Sequence, residues 1–438
     1  MAEHRRVSTH SAPEACIVRI ERIGAEGDGV ATLTDGSPVY VPFSLPGELV
    51  RVVPQRPRGD GWSAQIAQLI EPSPGRIKPP CEHFGSCGGC AVQHWAPKPY
   101  LDWKSTLLKA ALERAGFEDP VLAPFAIASS GSRRRMDLAL RRAAGRVVVG
   151  LHQAGGTQVV DLQECPVAAP ELFELIPPLR SALLPLSALR REGSAIINLL
   201  SSGPDLLLRT DGPLDLRDRQ RLIDFARQAG VVRISWAGLK GVPEAVCVLR
   251  AALTKFGQVS VSLPAGGFLQ ATEGGEAAIM AAVSAGLPKP LPSRASIAEL
   301  YAGCGTLTFA LAQHGRITAW EGDEQAVAAL SAAARKSGLA GRIEAIRRDL
   351  ARQPLSAAEL RKFAAVVLDP PFAGAARQIE AVAEAGVRRV VYVSCNPSAL
   401  ARDARVLRGA GYRLLRATPI DQFLWSARLE SVVIFDRD

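Results

Sequence analysis

The pattern of apolar residues predicts three domains: a small all-β barrel, a mixed α+β middle and a doubly wound α/β domain at the carboxyl terminus. Three observations carry this. The chain has 438 residues, which at roughly 100 to 200 residues per domain allows two to four. Short strands with regular turn glycines fill its beginning. From Ile297 onward an apolar strand, a glycine or acidic turn and a helix repeat in a steady rhythm.

Ala15 to Ile70 holds the alternating residues Ile17, Val18, Ile20 and Ile23, then turn glycines Gly24, Gly27 and Gly29, then Pro38 to Val53. Such spacing is that of a compact barrel. Pro72 to Pro80 reads as a linker. Helical spacing and a glycine stop predict a helix over Pro99 to Gly116, while MDLALRR, RVVVGLH and TQVVDL between Met136 and Val160 predict an antiparallel sheet. Helices are expected near Pro170 to Leu184 and Leu214 to Gln228, flanking strands AIINLL and DLLLRT. The carboxyl-terminal runs IAELYA, ITAWEGD, IEAIRRDL, AAVVLDPP and RRVVYVSC argue for a mostly parallel sheet, which binds ligands at the carboxyl ends of its strands.

Composition narrows the class. Hydrophobic residues make up 47% and charged residues 22%, which is globular rather than disordered. No run approaches the roughly 18 apolar residues of a membrane span, and Met1 to Pro13 is polar, so a cytoplasmic protein without membrane association is expected. A net charge of +9 permits a polyanionic partner. Eight cysteines are too few for a disulfide scaffold in a chain this long, and three of them crowd together.

Those three, Cys81, Cys87 and Cys90, form C-x5-C-x2-C in CEHFGSCGGC, where Gly85, Gly88 and Gly89 let the thiolates converge. Cys165 in LQECPV is the best fourth ligand, because Cys16, Cys247 and Cys304 sit in apolar or glycine-turn contexts. Four thiolates hold either an iron-sulfur cluster or tetrahedral zinc, and spacing does not separate the two.

In ELYAGCGTLT a strand runs into Gly303-x-Gly305, followed by Thr306 and a helix whose positive end faces the turn. Glu321 closes the next strand, where an acidic residue accepts hydrogen bonds from ribose hydroxyls, and Asp349 closes the third. This ordered set resembles the S-adenosylmethionine site of class I methyltransferases. Cys395 in VYVSCNPSALARD lies between a strand tip and a helix, so a thiol pKa lowered by the helix dipole is expected. Asp369 in LDPPFAG suits a planar amide such as a nucleobase edge, and Glu430 in RLESVVIF is a candidate general base. A thiolate that adds to C6 of uracil makes C5 nucleophilic, and a base must later remove the C5 proton. The base must also leave its stack.

With these motifs in hand, the chain resembles the bacterial RNA uracil-5-methyltransferases, specifically the branch that acts on 23S ribosomal RNA, over nearly its whole length. The resemblance implies a polar tail at 1–12, a TRAM domain of OB type at 13–72 carried by GDGVATLTDGSPVYVPFSLPGE, a central α+β domain at 73–262 and a class I, Rossmann-like methyltransferase domain at 263–438. It implies a helix over 97–117 that packs on the catalytic domain, and a [4Fe-4S] cluster on Cys81, Cys87, Cys90 and Cys165. By the same resemblance Gln270 in GGFLQAT, Tyr301, Glu321 and Asp369 contact S-adenosylmethionine or substrate, Cys395 is the nucleophile and Glu430 the base. Three positions depart from the commonest pattern: Thr306 replaces a frequent Asn, Phe372 follows DPP where Arg is usual, and Arg428 stands two before Glu430 where His is usual.

RNA is the implied partner, 23S ribosomal RNA first and transfer RNA second, bound by a monomer. Arg133, Arg134 and Arg135, supported by Arg141, Arg142 and Arg146, form the densest basic run and are expected to meet phosphates. Phe268 and Trp425 are candidates for stacking on an extruded base. Methylation of a transfer RNA T-loop uridine uses the same chemistry, but enzymes of that branch generally lack the barrel and the cysteine set. An inactive RNA-binding iron-sulfur protein is disfavoured by the intact Cys395, Glu430 and Glu321, and cytosine-5 methylation by Ser394 where a Pro would precede the nucleophile.

Overall fold

The computed structural model describes residues 14–289, 291 and 295–437; the polar tail assigned to 1–12 lies outside them. The chain divides into two compact units, one reaching to Lys104 and including Trp425–Ala427, the other comprising Ser105–Leu424 and the residues from Arg428 onward.

In the first unit the alternating residues form a six-stranded sheet that includes Leu49–Arg58 and Gly61–Glu71. Its inward positions, among them Val18, Ile20, Val39, Val41, Val50 and Val52, build one core. Burying every second side chain in this way is what a half-exposed strand is patterned to do. The segment read as a linker is tied down instead. Arg76 donates to both carboxylate oxygens of buried Glu48, at 2.5 and 2.8 Å, and to the Phe43 carbonyl at 2.9 Å.

The predicted helix spans Pro97–Arg114, and its Leu108 and Leu112 join the core of the second unit. There, strands Arg135–Ala143, Arg146–His152 and Val159–Asp161 form the expected antiparallel ladder within a seven-stranded sheet. The helix expected near Pro170 to Leu184 is two pieces, Pro170–Phe173 and Ile176–Leu183. Prolines at 177 and 178 suit a first turn, where no N–H is required, so the chain restarts there. Leu216–Gln228 is capped by Asp215, which accepts from the Asp218 N–H.

The remaining sheet positions the site. Its strands are Ser296–Leu300, Arg316–Glu321, Ile343–Arg347, Ala365–Leu368, Arg389–Ser394, Arg413–Asp421 and Glu430–Asp436. In space they run third, second, first, fourth, fifth, seventh, sixth, and the short Ala126–Ile127 adds an eighth strand beside the sixth. The first five are mutually parallel, and only the seventh is antiparallel to its neighbours. Both faces are covered, as continuous apolar strands require. Val391 and Val393 pack into one core with Ile279 on helix Glu273–Gly286, while Val390 and Tyr392 pack into the other with Leu400 on helix Pro397–Gly409.

Candidate active site

A cavity of about 750 Å³ opens at the carboxyl ends of these parallel strands, within the usual range for small-molecule sites. One end is the glycine turn. Gly303 (φ +56°) has open space where a side chain would stand, and Gly305 (φ +102°) has none, since a Cβ there would lie 2.6 Å from both Leu330 and Phe309. Tyr301 precedes them at φ +67°, a left-handed conformation that costs a non-glycine residue of order 1–3 kcal/mol and gathers at functional sites. Glu321 is held by the N–H of Gly303 at 2.9 Å and of Asp323 at 2.8 Å. Tyr301, Gly303, Thr306, Glu321 and Asp323 all line this end of the cavity.

The other end gathers a thiol and carboxylates. Strand register pairs Ser394 with Ser431, and the next step brings Cys395 beside Glu430. Asn396 caps helix Pro397–Gly409, with Pro397 at its first turn, so Cys395 is left in the gap between strand and helix. Cys395, Glu430, Asp369 and Gln270 line one wall region together.

The expected lowering of the Cys395 thiol is reversed. Burial, then the nearby Glu430 and Asp369 carboxylates, push it up to about 11, against a smaller downward effect of Arg428. A helix-terminus contribution of about 1–2 kcal/mol at most is outweighed by desolvation and like charge. Burial also raises Glu430, with Asp369 adding to it, and burial raises Asp369. Alkylation of Cys395 by iodoacetamide, followed on its own peptide by mass spectrometry, should therefore rise about tenfold per pH unit from neutrality towards pH 11. A plateau near neutral pH would contradict this.

Three expectations need correction. Asp349 does not line the cavity; its carboxylate accepts from the N–H groups of Ala351 and Arg352 and so caps its own turn. Arg134 is buried, with its guanidinium 2.5 Å from Glu276 and donating to the Gln270 carbonyl at 3.2 Å, so it braces the pocket wall and is withdrawn from RNA. Arg142 likewise donates to four backbone carbonyls, those of Leu183, Leu184, Leu186 and Leu189, and Arg141 pairs with Glu192. Arg133 and Arg135 do line the cavity, and Arg135 lies 5.9 Å from the ring of Phe268, which is 60% exposed. Trp425 belongs to the first unit, where its carbonyl accepts from Ala91 and Val92.

Two of the unusual residues meet each other. The Arg428 guanidinium lies 4.2 Å from the centroid of the Phe372 ring, and Asn396 donates to the Phe372 carbonyl at 2.9 Å. Two functional candidates escaped the sequence reading. Glu299, a carboxylate inside an apolar strand, lines the cavity with one oxygen unpartnered, and burial pushes it up to about 8. Gln422 donates from one amide nitrogen to both Glu430 and Gln270. The lone charge in IAELYA was a signal for the first; nothing local marks the second.

Cys81, Cys87 and Cys90 are half-buried in the first unit, and Cys165 lies in the second. The Gly89 N–H donates to the Cys87 sulfur at 3.5 Å. Among the described residues no three His, Cys, Asp or Glu side chains converge to hold a metal ion. No helix among the described residues is long and apolar enough to cross a membrane.

The strand order and the glycine turn above the first strand define a class I S-adenosylmethionine-dependent methyltransferase. The open cradle at Gly303 and the unpartnered Glu299 oxygen fit that donor. Comparison with known proteins carries the assignment further. Residues 292–438 match the model of the tRNA (uracil-5-)-methyltransferase family. An uncharacterized RNA methyltransferase of Caulobacter vibrioides is 38% identical over 95% of this chain and 99% of its own length. The 23S rRNA (uracil(1939)-C(5))-methyltransferase of Pectobacterium atrosepticum is 33% identical over 99% of this chain and 97% of its own. Among solved structures, the Pyrococcus abyssi tRNA (uracil-54, C5)-methyltransferase, in complex with S-adenosyl-L-homocysteine, superposes with a TM-score of 0.68 at 20% identity, covering 96% of this chain and all of that one. The chain belongs to the RNA (uracil-5-)-methyltransferase family, enzymes that methylate RNA with S-adenosylmethionine.

Proposed function

We propose that this protein methylates C5 of one uridine in 23S ribosomal RNA, acting as a monomer through a covalent adduct on Cys395. The observation that carries the reading is that Cys395, Glu430 and the glycine turn share one cavity. The near full-length similarity to a 23S ribosomal RNA uracil methyltransferase supports the choice of RNA.

S-adenosylmethionine supplies an electrophilic methyl carbon on a sulfonium. Tyr301, Gly303, Thr306 and Glu321 hold it, and Gln270 and Asp369 face the pyrimidine. The Cys395 thiol gives its proton to solvent, its sulfur bonds as thiolate to C6, and the C5=C6 pair of electrons moves onto C5 and O4. C5 then takes the methyl group as the carbon-sulfonium bond breaks. Glu430 removes the C5 proton, the C6–S bond breaks, the ring double bond re-forms and Cys395 leaves as thiolate. Arg133, Arg135 and Phe268 guide the extruded nucleotide, the arginines through phosphates and Phe268 by stacking.

A [4Fe-4S] cluster on Cys81, Cys87, Cys90 and Cys165 belongs to the same proposal and rests on the donor set alone. Anaerobically purified protein should be brown, with about four iron and four sulfide per chain; colourless, zinc-loaded protein would overturn the cluster. For the function itself, mass mapping of 5-methyluridine in RNA from a strain lacking this protein should show one site missing from 23S ribosomal RNA. Loss confined to transfer RNA would transfer the reading to the T-loop uridine.

A further inference from the structure

Glu430 and Gln270 are 160 residues apart in sequence, and one buried side chain joins them. We infer that Gln422 is a positioning residue that orients both, and through them sets the donor and acceptor pattern presented to the pyrimidine; this rests on the function proposed above.

Gln422 follows directly on strand Arg413–Asp421, in which Ile420 pairs with Glu430, and is 1% exposed. Its Nε2 donates to Glu430 Oε2 at 2.9 Å and to Gln270 Oε1 at 2.8 Å. An ionised carboxylate has only lone pairs, so Gln422 must turn its amide nitrogen, not its oxygen, towards Glu430. The second proton on that nitrogen requires an acceptor, so Gln270 must turn its oxygen inward. Gln270 lines the cavity, and what it retains for a ligand is its own amide nitrogen, a donor. Ionised, or protonated on Oε1, Glu430 presents Oε2 as an acceptor, and so settles both amide orientations.

The room for this arrangement is built in. A Cβ on Gly275 would stand 2.7 Å from the Gln422 Cβ and 2.8 Å from its Oε1. Gln422 Oε1 and Glu430 Oε1 are buried without partners, the first left over because the nitrogen is committed elsewhere, the second free to take a proton.

The ligand that matches has an acceptor facing Gln270 and a donor facing the Asp369 carboxylate, which lines the same cavity. Uracil meets this with O4 and N3–H. Cytosine offers an amino group and a bare nitrogen in the same places, so donor faces donor at Gln270 and acceptor faces acceptor at the carboxylate. A site built this way rejects the mismatched analogue because buried polar groups stay unpaired.

The test uses the full-length protein, a 23S ribosomal RNA fragment carrying the mapped uridine and the same fragment with cytidine there. Gln422→Met keeps the volume and removes both donors; Gln422→Glu keeps a polar group of the same size but repels Glu430, and serves if the Met variant does not fold. Expected are a drop in kcat of about 10- to 100-fold with S-adenosylhomocysteine affinity unchanged, an acid limb of the rate profile displaced to higher pH because Glu430 loses a donor to its ionised form, and uridine-to-cytidine discrimination lowered at least about tenfold. An unmoved acid limb with intact discrimination would overturn the inference, whatever happens to Tm. Wild-type protein that forms 5-methyluridine while the variants behave like it sinks this inference alone; wild-type protein that forms none removes the function as well.

Discussion

Glu430→Gln should stop the enzyme halfway, leaving protein joined to RNA. With no base to take the C5 proton, addition to C6 and methyl transfer still proceed, but elimination of the Cys395 sulfur does not. General-base removal costs about 10²–10⁴ in rate, or about 3–5 kcal/mol at 1.36 kcal/mol per decade. The substitution suits this test because the new side chain keeps a carbonyl oxygen as acceptor for the Gln422 amide nitrogen, where the Glu430 carboxylate now accepts at 2.9 Å, so the wall should keep its shape. The measurement is a slower band under denaturing conditions that requires both S-adenosylmethionine and RNA. Absence of any adduct, with turnover retained, would remove Glu430 from the role of base.

Cys395→Ala should have the largest effect of all, because in the proposed mechanism the sulfur adduct at C6 is what makes uracil C5 nucleophilic. Loss of a catalytic nucleophile lowers turnover by as much as on the order of 10⁶. Binding of S-adenosylhomocysteine should persist, since Tyr301, Gly303 and Glu321 line the other end of the cavity. The double variant Cys395→Ala, Glu430→Gln should yield no adduct, which separates a sulfur bond to the ring from any other crosslink. Methyl transfer at more than a trace by Cys395→Ala, measured with labelled donor, would exclude covalent catalysis.

The pH behaviour connects the two. In the free enzyme the thiol is pushed up to about 11 by burial and by the carboxylates it works beside. Burial first, and then the Glu430 and Asp369 carboxylates, oppose ionisation of Cys395 in the free enzyme. Arg428, docked on Phe372, acts in the opposite direction, so one of the three residues that depart from the commonest pattern bears directly on the charge balance of Cys395.

Local chemistry was legible in the chain itself. Alternation marked the strands of the first unit, the glycine turn after IAELYA marked the cradle, and SCNP placed Cys395 between a strand and a capped helix, because periodicity, positive φ and capping are each decided within a few residues. Folding alone decided which polar groups face each other. Arg134 sits in a basic run yet turns inward to Glu276, 142 residues away, and Asp349 spends its carboxylate on its own turn. The direction of the Cys395 shift and the bridge from Gln422 to Gln270, 152 residues apart, follow from burial and from charges brought close by strand register. Electrostatic energies depend on distance and on exclusion of water, and neither is written in the order of the residues.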